Sequence, residues 1–446
     1  MRYVSRVTLL LLSASLLAGC GNGGPLGVFK KKDKITVPGD RVAVLLNEAE
    51  LVIDQATATE PMTLPAAVTN DSWAQSGGNA NKSVGHLTLG NALGVAWTVS
   101  IGKGSDKSGR LGGGPVVADG KIFTMDTSGT VRAFSAENGG QIWSTRFGEI
   151  GENAASIYGG GVAFDSGRVY ATNGLGYVAA LDANTGAAVW TVKPGGPLRG
   201  EPSVAEGAVY VMSQDNQIYS LKAADGSANW SSAAALEIAG VFGAAAPSIG
   251  QGTIVAGFSS GELNAYRYEN GRQVWQDALS RTSMSTSVAS LSDIDADAVI
   301  ESGVVYAVGQ GGRMVALDLF SGQRIWELNF AGIATPWVAG DWLFAVNDKA
   351  QLIAVARRTG KIRWINQLPR YRDQEDRKGP ITYVGPILAG ERLIVAGSNG
   401  ALINVSPTDG SFQSQVDLKD GVSFQPVVAN NTMYLLTDSG RLIAYR

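Results

Sequence analysis

Cysteine and histidine are almost absent from this chain of 446 residues, which contains one of each. The single cysteine, Cys20, leaves no second thiol for an internal disulfide, and the single histidine, His86, excludes a histidine metal cluster. No Ser-His-Asp or Cys-His set can be assembled. An acidic run at 293–297 resembles the start of a calcium loop, but Ala298 replaces the required glycine and Val304 the bidentate glutamate. The sequence therefore predicts no catalytic residue, no metal site and no cofactor.

An excess of charge of one sign is also lacking, since 36 lysines and arginines nearly balance 39 aspartates and glutamates, for a net charge of −3. A nucleic-acid-binding domain would concentrate basic residues on one surface, and no such concentration is visible. We therefore expect no nucleic-acid partner. The chain also has few long helical patterns and is rich in glycine, at 58 residues.

Short strand-like runs recur along the chain in fixed units. In the stretch 178–190, two apolar runs flank an Asn-Thr-Gly turn and end on Trp190, which is typical of a β-hairpin. The residue that opens each unit, usually proline, precedes the closing residue by 28 positions in seven units. The late turn of each unit carries a glycine: Gly139, Gly186, Gly226, Gly271, Gly322, Gly360 and Gly410. Four strand-like runs and three turns per unit predict the blades of a β-propeller.

Tryptophans close these units, on the strand predicted to form the outer edge of each blade. A large ring there can fold over the neighbouring blade and bury roughly 150–250 Å² of surface. We therefore assign these side chains to packing between blades rather than to ligand stacking. They are Trp97, Trp143, Trp190, Trp230, Trp275, Trp326 and Trp364. Serine replaces tryptophan at Ser414, which predicts the weakest contact between blades.

An eighth unit begins at Pro426, but the chain ends at Arg446, before that unit's last strand. Residues 94–98 read like the other tryptophan strands and precede the first complete unit. We therefore predict an all-β, eight-bladed β-propeller of four-stranded blades, closed when the N-terminal strand completes the C-terminal blade. Such closure removes the exposed ends of an open array.

The N-terminus has the features of a secretion signal. Two arginines precede an apolar run at 7–17 that is too short for a membrane-spanning helix. The run leads into Leu17-Ala18-Gly19-Cys20, which resembles the bacterial lipobox, whose cysteine becomes the acylated first residue. Gly21 follows instead of the aspartate that retains such lipoproteins in the inner membrane. This resemblance implies a lipid anchor on Cys20 in the outer membrane, with the propeller in the periplasm.

The predicted domain organisation has three parts. Residues 1–19 form the lipoprotein signal peptide, residues 20–70 a lipid-anchored tether, and residues 71–446 the propeller. Glycines at 21–27 and a charge run at 30–34 favour an extended tether. Whether the apolar positions at 41–46 and 50–53 form a strand or a helix stays open.

The links between units vary in length, whereas the units themselves do not. Every link joins an outer strand to the next inner strand, so all of them emerge on one face. Insertions concentrated on one face of a repeat array commonly mark its binding surface. The candidate loops are 195–201, 233–246, 280–297 and 367–384. We therefore expect a partner to bind on this face.

The repeat resembles that of the quinoprotein (PQQ-type) propellers, as in Ala180-Leu181-Asp182, Gly186 and Trp190. This motif concerns propeller packing. The quinoprotein dehydrogenases add a vicinal disulfide beside their cofactor, and this chain has no cysteine for one. The resemblance therefore concerns the fold and does not imply the enzymatic activity of the quinoprotein dehydrogenases.

A resemblance to the BamB family of outer-membrane lipoproteins covers essentially the whole chain. It is carried by the lipobox, the motif Trp73-Ala74-Gln75-Ser76-Gly77-Gly78, His86-Leu87 and the eight repeats. It implies a non-enzymatic scaffold of the β-barrel assembly machinery. Such a scaffold binds the periplasmic POTRA domains of BamA, belongs with the other components of that complex, and helps unfolded outer-membrane proteins to fold and insert.

The same resemblance implies which residues bind BamA. The family's leucine-arginine loop matches Leu198, Arg199 and Glu201, and its aspartate pair matches Asp293 and Asp295. Both segments lie on the face selected above from the link lengths. The family has a further leucine two places before Leu198, where this chain has glycine, so the apolar anchor here is smaller. The charged insertion at 370–378 is unusual for the family and is either a lineage-specific contact or a solvated loop.

Two other functions are compatible with a propeller. A periplasmic quinoprotein-like oxidoreductase would need the missing cysteines and histidines. A polysaccharide-binding propeller would need a platform of aromatic side chains, and none is readable outside the repeat tryptophans. Recovery of a POTRA-containing barrel protein in a detergent pull-down distinguishes the scaffold from an oxidoreductase, which would show cofactor absorbance and dye reduction.

Overall fold

The computed structural model describes residues 50–149, 151–198, 200–236, 245–280 and 292–446. These residues form eight four-stranded antiparallel sheets and one two-stranded hairpin. The eight sheets are arranged as the blades of an eight-bladed β-propeller, which confirms the predicted fold class. Within the described ranges, no helix is long and apolar enough to cross a membrane.

The strands follow the chain with little interruption. The first strand and those of blades 1 to 4 are β1 (Val95–Ser100), β2 (Val116–Ala118), β3 (Lys121–Met125), β4 (Thr130–Ser135), β5 (Gln141–Arg146), β6 (Val162–Asp165), β7 (Arg168–Thr172), β8 (Val178–Asp182), β9 (Ala188–Val192), β10 (Ser203–Ala205), β11 (Ala208–Met212), β12 (Gln217–Lys222), β13 (Ala228–Ala233), β14 (Ser248–Gly250), β15 (Thr253–Gly257), β16 (Glu262–Arg267) and β17 (Gln273–Ala278). Blades 5 and 6 contain β18 (Val299–Glu301), β19 (Val304–Val308), β20 (Arg313–Asp318), β21 (Arg324–Asn329), β22 (Trp337–Ala339), β23 (Trp342–Val346), β24 (Gln351–Ala356) and β25 (Ile362–Gln367). The hairpin β26 (Tyr371–Asp373) and β27 (Lys378–Pro380) precedes blade 7, which has β28 (Tyr383–Ala389), β29 (Arg392–Gly397), β30 (Ala401–Val405) and β31 (Phe412–Asp417). Blade 8 has β32 (Val427–Ala429), β33 (Thr432–Leu436) and β34 (Arg441–Tyr445).

Blade 8 is completed by the N-terminal strand, as the repeat pattern predicted. Its strand order is β1-β34-β33-β32, so β1 forms the outer edge. The register pairs Val95 with Tyr445 and Ser100 with Arg441 in antiparallel orientation. The backbone groups of Gly94 and Arg446 exchange two further hydrogen bonds, of 2.8 and 3.0 Å. The ring is therefore closed by hydrogen bonds between the two ends of the propeller.

Neighbouring blades are joined by a tryptophan that packs on a glycine. The Trp143 ring of blade 1 lies so close to Gly186 of blade 2 that an added Cβ would be 2.6 Å from it. Gly186 also has a φ of 73°, which favours glycine. Each of the other late-turn glycines contacts the tryptophan of the preceding blade in the same way. The fixed tryptophan and glycine positions in the sequence are thus two sides of one contact.

Most of these tryptophans also donate a hydrogen bond across the blade boundary. The indole Nε1 reaches a backbone carbonyl of the next blade, which satisfies a polar group that burial would otherwise leave unpaired. The six donor and acceptor pairs are Trp143 and Ala183, Trp190 and Ala223, Trp230 and Tyr268, Trp275 and Leu319, Trp326 and Arg357, and Trp364 and Pro407.

The ring has a seam at the boundary between blades 7 and 8. Blade 8 has no turn between its third and fourth strands, because its fourth strand, β1, precedes blade 1 in the sequence. A tryptophan at position 414 would have no turn glycine to cover, and all six residues of β31 are exposed. On the other side of blade 8, Arg446 donates a hydrogen bond of 2.7 Å to the Ala136 carbonyl. That carbonyl is the equivalent of the indole acceptors above, and within the described residues the buried Trp97 Nε1 has no partner.

The segment before β1 runs around the inside of the ring. Residues 70–89, which we name the floor segment, contact the inner strand of every blade in turn. Isolated β-bridges join Trp73 to β2 and Leu87 to β28. In blade order, its backbone and side-chain hydrogen bonds join Trp73 to Val117, Ala74 to Phe164, Gln75 to Val204, Ala80 to Ile249, Asn81 to Ile300, Gly85 to Trp337, Leu87 to Leu388, and Asn70 to Val428. The floor segment therefore closes the central channel and links all eight blades.

Ordered contacts begin before the predicted end of the tether at residue 70. Ile53 forms a parallel bridge with Ile362 on the outer edge of blade 6. A short helix, α1 (Gln55–Thr59), follows, and its N-cap Asp54 accepts a hydrogen bond of 2.9 Å from the Thr57 N–H. Arg363 donates to the Thr57 and Glu60 carbonyls. Of the two apolar segments left open above, 50–53 makes a strand-like contact through Ile53 and 41–46 lies outside the described residues. The helix lies after both segments.

The seam leads to a prediction about stability. Trp143→Ser removes a buried ring and its hydrogen bond, so we expect the free energy of unfolding to fall by roughly 3–5 kcal/mol. Ser414→Trp should change it by less than about 0.5 kcal/mol, because no turn of blade 8 covers the new ring. Chemical denaturation followed by fluorescence measures both, with the exposed Ser144→Ala on the same strand as Trp143 as control. A large gain from Ser414→Trp would contradict this account of the seam.

Candidate partner-binding face

The antiparallel order of each blade places two sets of connections on one end of the propeller. The links from each outer strand to the next inner strand lie there, together with the turn between the second and third strands of each blade. We call this end the loop face. The early and late turns lie at the opposite end. The link segments chosen from the sequence are therefore on a common surface where the structure describes them.

Leu198 does not lie exposed on this face. Its side chain is 2% exposed and packs in the core shared by blades 2 and 3, with Tyr170 and Val209. Its backbone forms a bridge to Ser213 in the middle turn of blade 3. Leu198 is therefore not an exposed apolar anchor in the free chain. Arg199 lies outside the described residues.

Glu201 is also buried, at 8% exposure. Its Oε1 accepts a hydrogen bond from the Gly114 N–H in the link that enters blade 1. A Cβ at Gly113 or Gly161 would come within 2.2 or 2.5 Å of the Glu201 side chain. Glycines in the links that enter blades 1 and 2 thus make room for this carboxylate. Its position ties three consecutive links together.

The aspartate pair surrounds one turn of blade 5. Asp293 is 1% exposed, and its carbonyl accepts a hydrogen bond of 2.9 Å from the Gln310 N–H. Asp295 is half-buried, and its carboxylate accepts a 2.6 Å hydrogen bond from Gln310 Nε2. Both residues therefore shape the middle turn of their blade. Only Asp295 also lines the cavity described next.

A cavity of about 900 Å³ opens at the centre of the loop face. Its floor includes Trp73, Ser76 and Gly77 of the floor segment, and its walls are formed by the links. Trp73 stacks on Trp337, with ring centroids 6.3 Å apart, which fixes the floor against blade 6. We call this cavity the channel mouth. Its size is in the range of binding sites for small ligands or for a protruding protein loop.

Three charged side chains are buried around the floor of the channel mouth. Lys82 Nζ donates a hydrogen bond of 3.1 Å to the Ser203 hydroxyl. The carboxylate of Asp297 accepts hydrogen bonds from the Ser76 hydroxyl and the Ala246 N–H, at 2.6 and 2.7 Å. Glu201 completes the group. Lys82 and Glu201 are close enough to alter each other's pKa, and the charge of Asp297 acts on the pKa of both.

Burial has the largest effect on the pKa values of Glu201 and Lys82. It raises the pKa of the Glu201 carboxyl to about 7, and the nearby Asp297 contributes to the rise while Lys82 opposes it. Burial also lowers the pKa of the Lys82 ammonium, against the attraction of Asp297 and Glu201. Buried charges cost stability unless they are well paired, so such clusters are often retained for function.

Sequence reasoning did not find this group. In the sequence, Asp297 is notable only as part of the calcium-like run, and no motif distinguishes Lys82 within the floor segment. The two residues are 215 positions apart, and only ring closure brings them together. Within the described residues, no group of three or more histidine, cysteine, aspartate or glutamate side chains is arranged to hold a metal ion.

The sequence matches one family model and several named relatives. The family model described as "Outer membrane protein assembly factor BamB" matches residues 92–156 and 128–366. The chain belongs to the BamB family. A relative named outer membrane protein assembly factor BamB from Yersinia pestis is 27% identical over 355 residues, covering 78% of this chain and 88% of the relative. The BamB relative from Escherichia coli is 28% identical over 389 residues and covers 78% and 87%.

Solved structures show the same fold. The crystal structure of BamB from Moraxella catarrhalis superposes with a TM-score of 0.66 at 20% identity, covering 80% of this chain and all of that one. The quinohemoprotein alcohol dehydrogenase from Comamonas testosteroni gives a TM-score of 0.65 at 14% identity, covering 85% and 81%. Both superpositions concern the propeller fold alone. The family assignment comes from the sequence match.

The pKa of Glu201 predicts how stability depends on pH. Because that pKa lies above the ordinary value of 4.5, the folded state binds the proton more tightly than the unfolded state. This stabilisation is complete below pH 4.5 and is lost as the pH rises through 7. Relative to Glu201→Gln, the wild-type free energy of unfolding should fall by up to about 3 kcal/mol between pH 4.5 and 8.

Urea denaturation at several pH values measures this difference. Glu137→Gln, at an exposed site, provides the control and should follow the wild-type profile. If the Glu201→Gln and wild-type profiles run parallel from pH 4.5 to 8, the buried carboxyl does not titrate as described.

Proposed function

We propose that this chain is a non-enzymatic scaffold in the assembly of outer-membrane proteins. The observation that carries the proposal is the match to the BamB family model over more than half of the chain, together with relatives named outer membrane protein assembly factors. An eight-bladed ring with a broad loop face suits a scaffold, because it offers a rigid surface built from many separate links. The similarity to a quinohemoprotein dehydrogenase concerns the fold and supports no activity.

The partner that we propose is the POTRA region of BamA, bound on the loop face as part of a larger assembly complex. Arg199 and Asp295 are the polar contacts of this site. Leu198, Glu201 and Asp293 hold their loops in shape, since all three are buried in the free chain. Opposite charges on separate links fix the orientation of a partner better than a single patch does.

The cellular position is part of the same proposal. Cys20 is the acylated residue that anchors the chain in the outer membrane, and the propeller lies in the periplasm, where unfolded outer-membrane proteins pass. Cys20 and the preceding signal lie outside the described residues. Labelling with radioactive palmitate tests the anchor, with Cys20→Ala as the unlabelled control.

Direct binding to the purified periplasmic region of BamA tests the partner. Arg199→Glu and Asp295→Ala should each weaken binding by roughly 2 kcal/mol or more if they are hot spots. The melting temperature of Asp295→Ala should change little, because this side chain is only half-buried. Lys222→Glu, at an exposed position on the opposite end of the propeller, serves as control and should bind normally.

The variant Leu198→Ala tests whether Leu198 stabilises the fold or contacts BamA directly. Its burial predicts a loss of roughly 2–5 kcal/mol in the free energy of unfolding, and any loss of binding should follow that destabilisation. If Arg199→Glu and Asp295→Ala both bind BamA like the wild type, the loop face is not the BamA site.

A further inference from the structure

The channel mouth is electrically polarised across the ring. The carboxylates of Asp295 and Asp297 line it on the link that enters blade 5. Cations line it on the opposite side, on the links that enter blades 1 and 7: Lys107, Arg110 and Arg372. In a ring of eight, blades 3 to 5 face blades 7, 8 and 1 across the channel. The two groups therefore form opposite walls, which we call the acidic wall and the basic wall.

The two cations of the link that enters blade 1 are available for a partner. Lys107 and Arg110 are both exposed, and among the described residues neither has a carboxylate within ion-pair distance. Two carboxylates also lie on this side: Asp106 is paired with Lys103 at 3.1 Å, and Asp438 is the other. The basic wall thus keeps positive charge next to solvent.

Arg372 extends this wall from the charged insertion that the sequence singled out. The insertion forms the exposed hairpin of β26 and β27, and Arg372 donates a hydrogen bond of 2.6 Å to the Ser398 carbonyl. This bond joins the hairpin to blade 7 at the edge of the cavity. The hairpin is therefore part of the channel mouth rather than a separate projection.

The acidic wall is continuous with the proposed BamA site. Asp295 belongs to both. A partner held at blades 3 to 5 would meet the channel mouth at its acidic side. A polypeptide extending from that partner across the cavity would then reach Lys107 and Arg110.

We propose that a loop of the docked partner enters the channel mouth, with a basic side chain on the acidic wall and an acidic side chain on the basic wall. This inference rests on the proposed function, since it takes the loop face as the docking surface. The partially exposed Ile333 and Phe424 provide apolar contacts for the loop between the two walls. Complementary charges at both ends orient the loop and speed its association.

Charge reversal on the basic wall tests the inference with residues outside the proposed docking set. The double variant Lys107→Glu/Arg110→Glu should weaken binding to the periplasmic region of BamA at least tenfold, with a larger effect at low salt. The matched control Lys222→Glu/Arg358→Glu makes the same change in net charge at exposed positions on the opposite end. It should bind within twofold of the wild type.

Occlusion provides a test that alters no charge. Ser423 is exposed and lines the channel mouth, so Ser423→Trp should fill part of it and reduce binding at least tenfold. Thr408→Trp, in a late turn at the other end, is the control. A photo-crosslinking residue at position 423 should capture BamA, and one at position 408 should not.

The outcomes separate the two proposals. If the basic-wall and Ser423 variants bind normally while Arg199→Glu and Asp295→Ala do not, BamA docks on the loop face without entering the channel, and this inference is overturned. If the wild-type chain does not bind BamA, the proposed function is wrong, and the inference that depends on it is wrong as well. Both proposals are supported if the docking variants and the channel-mouth variants lose binding while their melting temperatures are unchanged and the control variants bind normally.

Discussion

Contact between one blade's tryptophan and the next blade's glycine is the interaction on which this ring depends. A single blade cannot bury its apolar faces alone, so each blade needs neighbours on both sides. The tryptophan ring supplies a large apolar surface, and the glycine lets the turn approach it without a clash, as at Trp143 and Gly186. The indole hydrogen bond to a carbonyl then fixes the ring's orientation.

The same contact explains the irregular positions of the sequence. A chain that closes its ring with strands from both ends must lack one late turn. A tryptophan on the preceding blade would then have no turn glycine to pack against. Ser414 occupies that place, and Arg446 takes over the carbonyl that would otherwise accept a bond from Trp97. The departures from the repeat thus follow from closure and need no separate functional cause.

The floor segment turns the ring into a surface with a central site. Because it contacts the inner strand of every blade, it forms the floor of the cavity whose walls are the links. Its Lys82 and Ser76 meet Glu201 and Asp297 there, so a segment outside the blades supplies part of the site. The links therefore serve both as structural braces and as the proposed docking surface.

Sequence alone determined the blade number, the closure by the N-terminal strand and the packing role of the tryptophans, because a repeat imposes the same local contacts at a fixed spacing. It also selected the loop face, since alternating strand directions send every link to one end. Tertiary structure decided which link residues are buried: Leu198 packs in the core shared by blades 2 and 3, and Asp293 is buried beside the middle turn of blade 5. It alone assembled Lys82, Glu201 and Asp297, because side chains far apart in the chain meet only when the ring closes around the floor segment.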